Sequence, residues 1–175
     1  QDLTRINKTI EEDRLGKIPA LREAFDLAKG HRLHFVGLIS DGGVHSHQDH
    51  LIALANEAKK AGVDDIWVHA ITDGRDTSPT GGEKYLEYCE EELGKVGARI
   101  ATVIGRYYAM DRDKRWERSK IAWDALVHGK GDEKEILPSE AVHECYQAEK
   151  TDEFLMPMIF GGANEQRIRD RDVII

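Results

Sequence analysis

Residues 33–47 read LHFVGLISDGGVHSH. The first half is a short, almost continuously apolar run, and the second is polar, glycine-paired and histidine-rich. A continuous apolar run bounded by turn residues suits a strand covered on both faces, as in a parallel sheet. Similar runs recur at 65–72 (DIWVHAIT), 99–105 (RIATVIG) and 172–175 (DVII). Amphipathic stretches alternate with them at 18–29, 47–61, 80–96, 111–128 and 138–148. The first ends at Gly30, the second at Gly62, and Pro138 opens the last, all ordinary helix punctuation. Thr80 with Glu83 three residues on suggests a capping box for the third. GKGDEKE at 129–135 reads as a surface loop, Trp67 and Trp123 as core, and Tyr107, Tyr108 and Trp116 as packing rather than stacking residues. Strand and helix in alternation predict an α/β fold: a mainly parallel sheet with helices on both faces, a three-layer αβα sandwich, formed by residues 1–175 as one domain.

Composition narrows the function classes. The 175 residues carry a net charge of −8, with 40% hydrophobic and 33% charged residues. That is globular composition, and an acidic chain does not present the basic face that general nucleic-acid binding needs. No apolar run approaches a membrane span. No signal-peptide pattern opens the sequence, and Cys89 and Cys145 are too few for a disulfide framework, so two reduced thiols in a cytoplasmic protein are expected. The sequence opens inside helical text, QDLTRINKTIEED, and closes on what reads as the start of a strand. A piece of a longer chain is therefore expected.

In open parallel sheets, ligands sit beyond the carboxyl ends of the strands. The stretches to weigh are therefore SDGGVHSH, DGRDTSP and RYYAMDRDKRW. The glycine pair of the first permits close backbone approach, and the helix that follows offers free N–H groups to an anion. Its three histidines also admit a metal reading. No cysteine partner or HExxH pattern supports that reading, and His47 and His50 suit a helix start. His45, in the turn, is the better functional candidate. In the second stretch Arg75 and Asp76 give an anion clamp beside a possible acid or base. In the third, Arg106 is fixed by the strand end, and Arg112 and Arg115 would lie a turn apart on a helix. Four groups, His45, Arg75, Arg106 and Arg112, thus converge on one sheet edge. That suits a small, multiply charged anion such as a phosphorylated organic acid. No nucleophile with an adjacent base is evident. On the residues alone, a metal-dependent hydrolase and a non-enzymatic nucleotide- or anion-binding module stay open.

LISDGGVHSH, AITDGRDTSP and GRYYAMDRDKRWER closely resemble the substrate-binding domain of the cofactor-independent phosphoglycerate mutases; QDLTRIN and TDEFLMPMI are also similar. The resemblance implies one domain, inserted into the other, of a two-domain enzyme that interconverts 3-phosphoglycerate and 2-phosphoglycerate through a phosphoserine on the other, phosphatase-like domain. It implies two manganese ions on that absent domain, none bound here, and no need for 2,3-bisphosphoglycerate. Carried over by motif, His45 would contact the phosphoryl group or substrate. Arg75 and Asp76 would hold the glycerate, with Asp76 the catalytic proton shuttle, and Arg106 and Arg112 would bind carboxylate and phosphate. The partners implied are the small-molecule substrate and the absent domain, with no nucleic acid, no membrane and a monomeric state.

Overall fold

A computed structural model describes residues 2–175. Its elements are α1 (Asp2–Glu11), α2 (Pro19–Ala28), β1 (Arg32–Ile39), α3 (Gln48–Lys60), β2 (Asp65–Thr72), α4 (Gly82–Gly94), β3 (Arg99–Gly105) and α5 (Arg106–Ala109). They continue with α6 (Trp116–His128), β4 (Asp132–Lys134), α7 (Pro138–Gln147), β5 (Met158–Phe160), α8 (Ala163–Gln166) and β6 (Val173–Ile174). The six strands form one sheet in the order β4-β5-β3-β2-β1-β6. β1, β2, β3 and β6 are mutually parallel, in register from Arg32↔Asp65 to Ile39↔Thr72 between the first two. β5 runs antiparallel to β3. The α/β fold with a mainly parallel sheet is as expected, and the first helix accounts for the opening helical text up to Glu11; Glu12 and Asp13 form a turn, and Gln1 lies outside the described residues.

The central strands are buried because both faces are covered. One face packs Leu33, Phe35, Ile66, Val68 and Ile100 against Phe25, Ala55, Ala58, Leu86, Cys89, Leu93 and Val142 from α2, α3, α4 and α7. Each large side chain buried this way contributes about 1.5–3 kcal/mol. The opposite face is smaller: Leu38, Ile71 and Ile104 pack under Tyr108, Met110 and Ile121 from α5, α6 and the turn between them. Lower on that face the sheet carries polar groups instead. His34, His69 and Thr102 are all fully buried there.

Four local expectations need correction. Residues 129–135 are not all loop, since Asp132–Lys134 add an edge strand parallel to β5. The helix expected over 111–128 begins only at Trp116, because Asp111 accepts the backbone N–H groups of Asp113 and Arg115 and ties residues 111–115 into a separate turn. Thr80 caps nothing: Gly81 is the N-cap residue of α4 and makes no side-chain cap. Asp152 and Tyr146 serve the first N–H groups instead, at 2.8 Å to Gly82 and 3.2 Å to Glu83. Trp123 and Trp116 are not core residues either, being 61% and 75% exposed on α6.

Candidate functional site

The loops after β1, β2 and β3 do meet at one edge of the sheet. Their common anchor is Asp73, the residue immediately after β2, which is 2% exposed. One of its oxygens accepts the backbone N–H groups of Arg75 (3.2 Å) and Asp76 (2.9 Å), folding DGRD into a tight turn. The same oxygen accepts Arg106 Nη1 at 2.7 Å, and the other accepts the hydroxyl of Ser40 at 3.2 Å. One carboxylate therefore ties together the ends of all three strands. Burial alone would raise its pKa. The N–H of Asp76, the Arg106 guanidinium and the N–H of Arg75 outweigh that and hold it below the ordinary carboxylate range.

Arg106 is the bridge from this anchor to the surface. It is 8% exposed, and the same Nη1 also reaches Asp76 Oδ2 at 2.6 Å. Burial acts to lower its pKa, but its two carboxylate partners raise it. His45 Nε2 lies 3.5 Å from the same Asp76 oxygen, with half of the imidazole in solvent. So Asp76 stands between a buried guanidinium and an open imidazole. His47 does something else: it is the N-cap of α3, its Nδ1 accepting the Asp49 N–H. His50 is in the first turn and pairs with Asn7 of α1.

On the far side of Arg106 lies a cavity of about 150 Å³. Arg75, Arg106, Arg112 and Arg118 all line it, with Tyr107 and Phe154 as its apolar wall. The arginines differ in availability. Arg118 is committed: it pairs with Asp111 at 3.1 Å and lies 3.9 Å over the Tyr107 ring. Tyr107 thus packs under this guanidinium within the chain. Arg75 is half-exposed and only loosely paired, 3.6 Å from Glu153. Arg112 is exposed, and among the described residues it makes no ion pair. A cavity with one free and one loosely held guanidinium suits an anion with two acidic ends.

A family model described as the BPG-independent PGAM (phosphoglycerate mutase) N-terminus matches residues 6–175. The chain belongs to this family. The 2,3-bisphosphoglycerate-independent phosphoglycerate mutase of Akkermansia muciniphila is 53% identical over 174 residues, covering 99% of this chain and 34% of that protein. That of Clostridium novyi is 49% identical over 180 residues, covering 100% and 35%. A crystal structure of Leishmania mexicana phosphoglycerate mutase at low cobalt concentration superposes with a TM-score of 0.88 at 29% identity, over 99% of this chain and 34% of that one. The chain therefore spans about a third of the length of the relatives it matches.

Three of the five residues singled out in this mutase-family sequence, Arg75, Arg106 and Arg112, line one cavity. Asp76 pairs with Arg106 and His45 lies against Asp76, both outside that lining. Reading by residue type missed Asp73 as the anchor, because Asp-Gly is an ordinary turn pair. It missed Arg118, because a helix full of charge looks like a solvated face. It also missed Asp152 and Glu153, which come from a fourth loop far along the chain. Among the described residues, no three His, Cys, Asp or Glu side chains are grouped so as to hold a metal ion. Cys89 is no nucleophile, since burial pushes its thiol up to about 12.

Proposed function

We propose that this domain holds the glycerate part of 3-phosphoglycerate and 2-phosphoglycerate while a phosphoryl group moves between the two hydroxyls. The observation that carries the reading is the convergence of four arginines on one cavity, one of them unpaired, directly beside the Arg106–Asp76–His45 row. Arg112 and Arg75 would take the carboxylate and phosphate through paired N–H donors. Arg106 has a different task. Its contacts to Asp73 and Asp76 fix Asp76 where a carboxylate can take a proton from one substrate hydroxyl and return it to the other. His45 would meet the phosphoryl group from the solvent side.

The phosphoryl acceptor would be a serine in the remainder of the longer protein, giving a phosphoserine intermediate there. The two manganese ions of this reading would be held by that remainder, and no step is assigned to them here. The glycerate must stay bound and reorient between the two transfers, which needs a directional grip on a small anion. Water must be excluded meanwhile, which closure of the second domain over the arginine cavity would achieve. Within this reading residues 1–175 act as one domain of a monomeric cytoplasmic enzyme that needs no 2,3-bisphosphoglycerate.

The test uses the full-length protein that carries this domain. Arg106→Ala and Asp76→Asn should each cost ~3 kcal/mol of transition-state stabilisation in the interconversion of the two phosphoglycerates, on the order of a hundredfold in kcat/KM. Near-normal kinetics from both variants would remove this row from the reaction. The 175-residue chain alone should show no turnover with manganese added, and turnover by it would overturn the division of labour.

A further inference from the structure

Three carboxylates line the arginine cavity, Asp111, Asp113 and Glu153, and Arg118 pairs with the first two at 3.1 and 3.5 Å. The carboxylate of Glu153 is largely buried, at 20% side-chain exposure. A negative charge in a pocket for a doubly acidic ligand repels that ligand unless it serves another purpose. Among the described residues its ion-pair partner is Arg75, at 3.6 Å, whose own side chain is 49% exposed.

The segment that delivers Glu153 is tied down on several sides. It is a single 3-10 turn, Asp152–Phe154. The carboxylate of Asp152, which is fully buried, accepts the Gly82 N–H at 2.8 Å and the hydroxyl of Tyr146. Its backbone N–H donates to Pro79 at 2.9 Å, and its carbonyl accepts the hydroxyl of Thr72 at 2.8 Å. On the other side, the N–H of Gly105 donates to the Leu155 carbonyl at 2.8 Å. The turn is wedged between the strand ends themselves. A Cβ at Gly74 would lie 2.7 Å from the Glu153 nitrogen, and one at Gly105 would strike the Asp152 and Glu153 carbonyl oxygens. Gly74 also has a φ of +65°, so both space and backbone conformation require glycine there. Phe154, next in the turn, packs its ring 5.1 Å from that of Tyr107, on which Arg118 lies.

We propose that Glu153 is a positioning residue for Arg75. Unrestrained, a half-exposed arginine side chain samples many rotamers, and ordering it on ligand arrival costs affinity. A carboxylate delivered by a rigid turn orders it beforehand. The 3.6 Å separation keeps that pairing loose, so Arg75 can turn its N–H donors to the incoming anion. The inference rests on the reading of Arg75 as a substrate-holding residue.

The experiment is a double-mutant cycle in the full-length protein, with 3-phosphoglycerate as substrate. Glu153→Gln keeps the shape of the side chain and removes its charge. It should raise KM about three- to fivefold, the worth of a partly exposed ion pair, and leave kcat within about twofold, the pattern of lost uniform binding. In an Arg75→Ala background the same substitution should no longer change KM, because its target is gone. An equal KM increase in both backgrounds, or a lower KM from Glu153→Gln alone, would overturn the positioning role. Wild-type kinetics from Arg75→Ala by itself would instead overturn the site reading beneath it, so the two failures are distinguishable.

Discussion

The same sheet carries two buried polar clusters built from the same residue types, and they are put to opposite uses. At the strand ends, Asp73 is a hub: four donors converge on one carboxylate, and one of them, Arg106, continues to Asp76 and the cavity wall. Lower on the α6 side lies a line. Thr102 contacts His69 Nδ1 at 3.0 Å, His69 Nε2 contacts His34 Nδ1 at 3.0 Å, and His34 Nε2 contacts Asp172 at 3.1 Å. With both rings neutral, one direction satisfies every link. The threonine hydroxyl donates to His69, His69 to His34, and His34 to the carboxylate. Arg32 closes the far end at 2.7 Å from Asp172. Histidine and aspartate alone therefore do not mark a functional site. What separates the two is whether a charged group is left facing open space. The hub ends in guanidinium groups beside a cavity, whereas the line ends in an ion pair whose members are 12% and 6% exposed.

The largest effect should come from removing the hub. Asp73→Ala would leave Arg106 buried with half of its compensation and orphan two turn N–H groups. A loss of ~3–5 kcal/mol in urea unfolding is expected. A loss below about 1 kcal/mol would mean that the strand ends are held by something else. Asp172→Ala should come next, at ~2–3 kcal/mol, since it leaves a buried imidazole N–H without its acceptor and the Arg32 guanidinium without its carboxylate, with the Glu165 carbonyl still in place. Asp172 also lies just ahead of β6, which pairs with β1 at Leu33 and His34. Hydrogen exchange at β6 should therefore accelerate in that variant more than at β2 or β3.

Acid should separate the clusters further. Burial, followed by the nearby His34, lowers the pKa of His69 from 6.5 to about 3, and burial also lowers that of His34. The charged groups facing the pair are Asp172, Arg32 and Asp65. A folded-state pKa below the unfolded one means that the unfolded chain takes up the proton first. The contribution is therefore complete above pH 6.5 and is lost as pH falls from there towards 3. The slope for His69 alone is ~1.4 kcal/mol per pH unit. Between pH 6.5 and 5 the ordinary carboxylates hardly titrate, so the urea midpoint in that window reports the histidines. His69→Gln should flatten the slope there, and an unchanged slope would show that the line is not the source. The hub responds later, because Asp73 has a lowered pKa: its contribution is complete above the ordinary aspartate pKa and is lost only as pH falls from there through the lowered folded-state value.

How much of this could be read in the sequence follows from the range of the forces involved. Strands β1, β2 and β3 were legible because burial on both faces writes a continuous apolar run. The arginines at the strand ends were legible because topology alone sends the following loops to one edge. The start of α4 was not. Its cap comes from Asp152 and Tyr146, some 70 and 63 positions away, and no local pattern encodes that. Trp123 misled for the opposite reason. A tryptophan in an amphipathic helix usually faces the core, yet here the inner face of α6 is occupied by Ile121, Ala122 and Ala125. The histidine line did leave a signal, one histidine in each of two otherwise apolar strands. Its meaning depended on the register that sets His34 beside His69, and on Asp172 arriving from the end of the chain.

The smallest effects make the finest test, because they probe topology rather than charge. Each link in a line is a sole partner, whereas each spoke of a hub is one of several. Thr102→Val preserves shape and deletes one hydroxyl, leaving the buried Nδ1 of His69 without a donor. Ser40→Ala also deletes one hydroxyl, taking the donor from Asp73 Oδ2 and the acceptor from the part-buried Gly42 N–H, but the same carboxylate keeps three donors on Oδ1. Both residues are at most 1% exposed, so solvent replaces neither bond. Thr102→Val should therefore cost ~1–2 kcal/mol in urea unfolding, and Ser40→Ala about half of that, since the carboxylate's charge is shared over both oxygens and the three donors on Oδ1 still hold it. The reverse order would mean that His69 finds another donor, and the line would then be a row of adaptable contacts. The expected order would show that the hub tolerates the loss of a spoke, as a carboxylate must if the arginine bound to it is to serve a site that fills and empties.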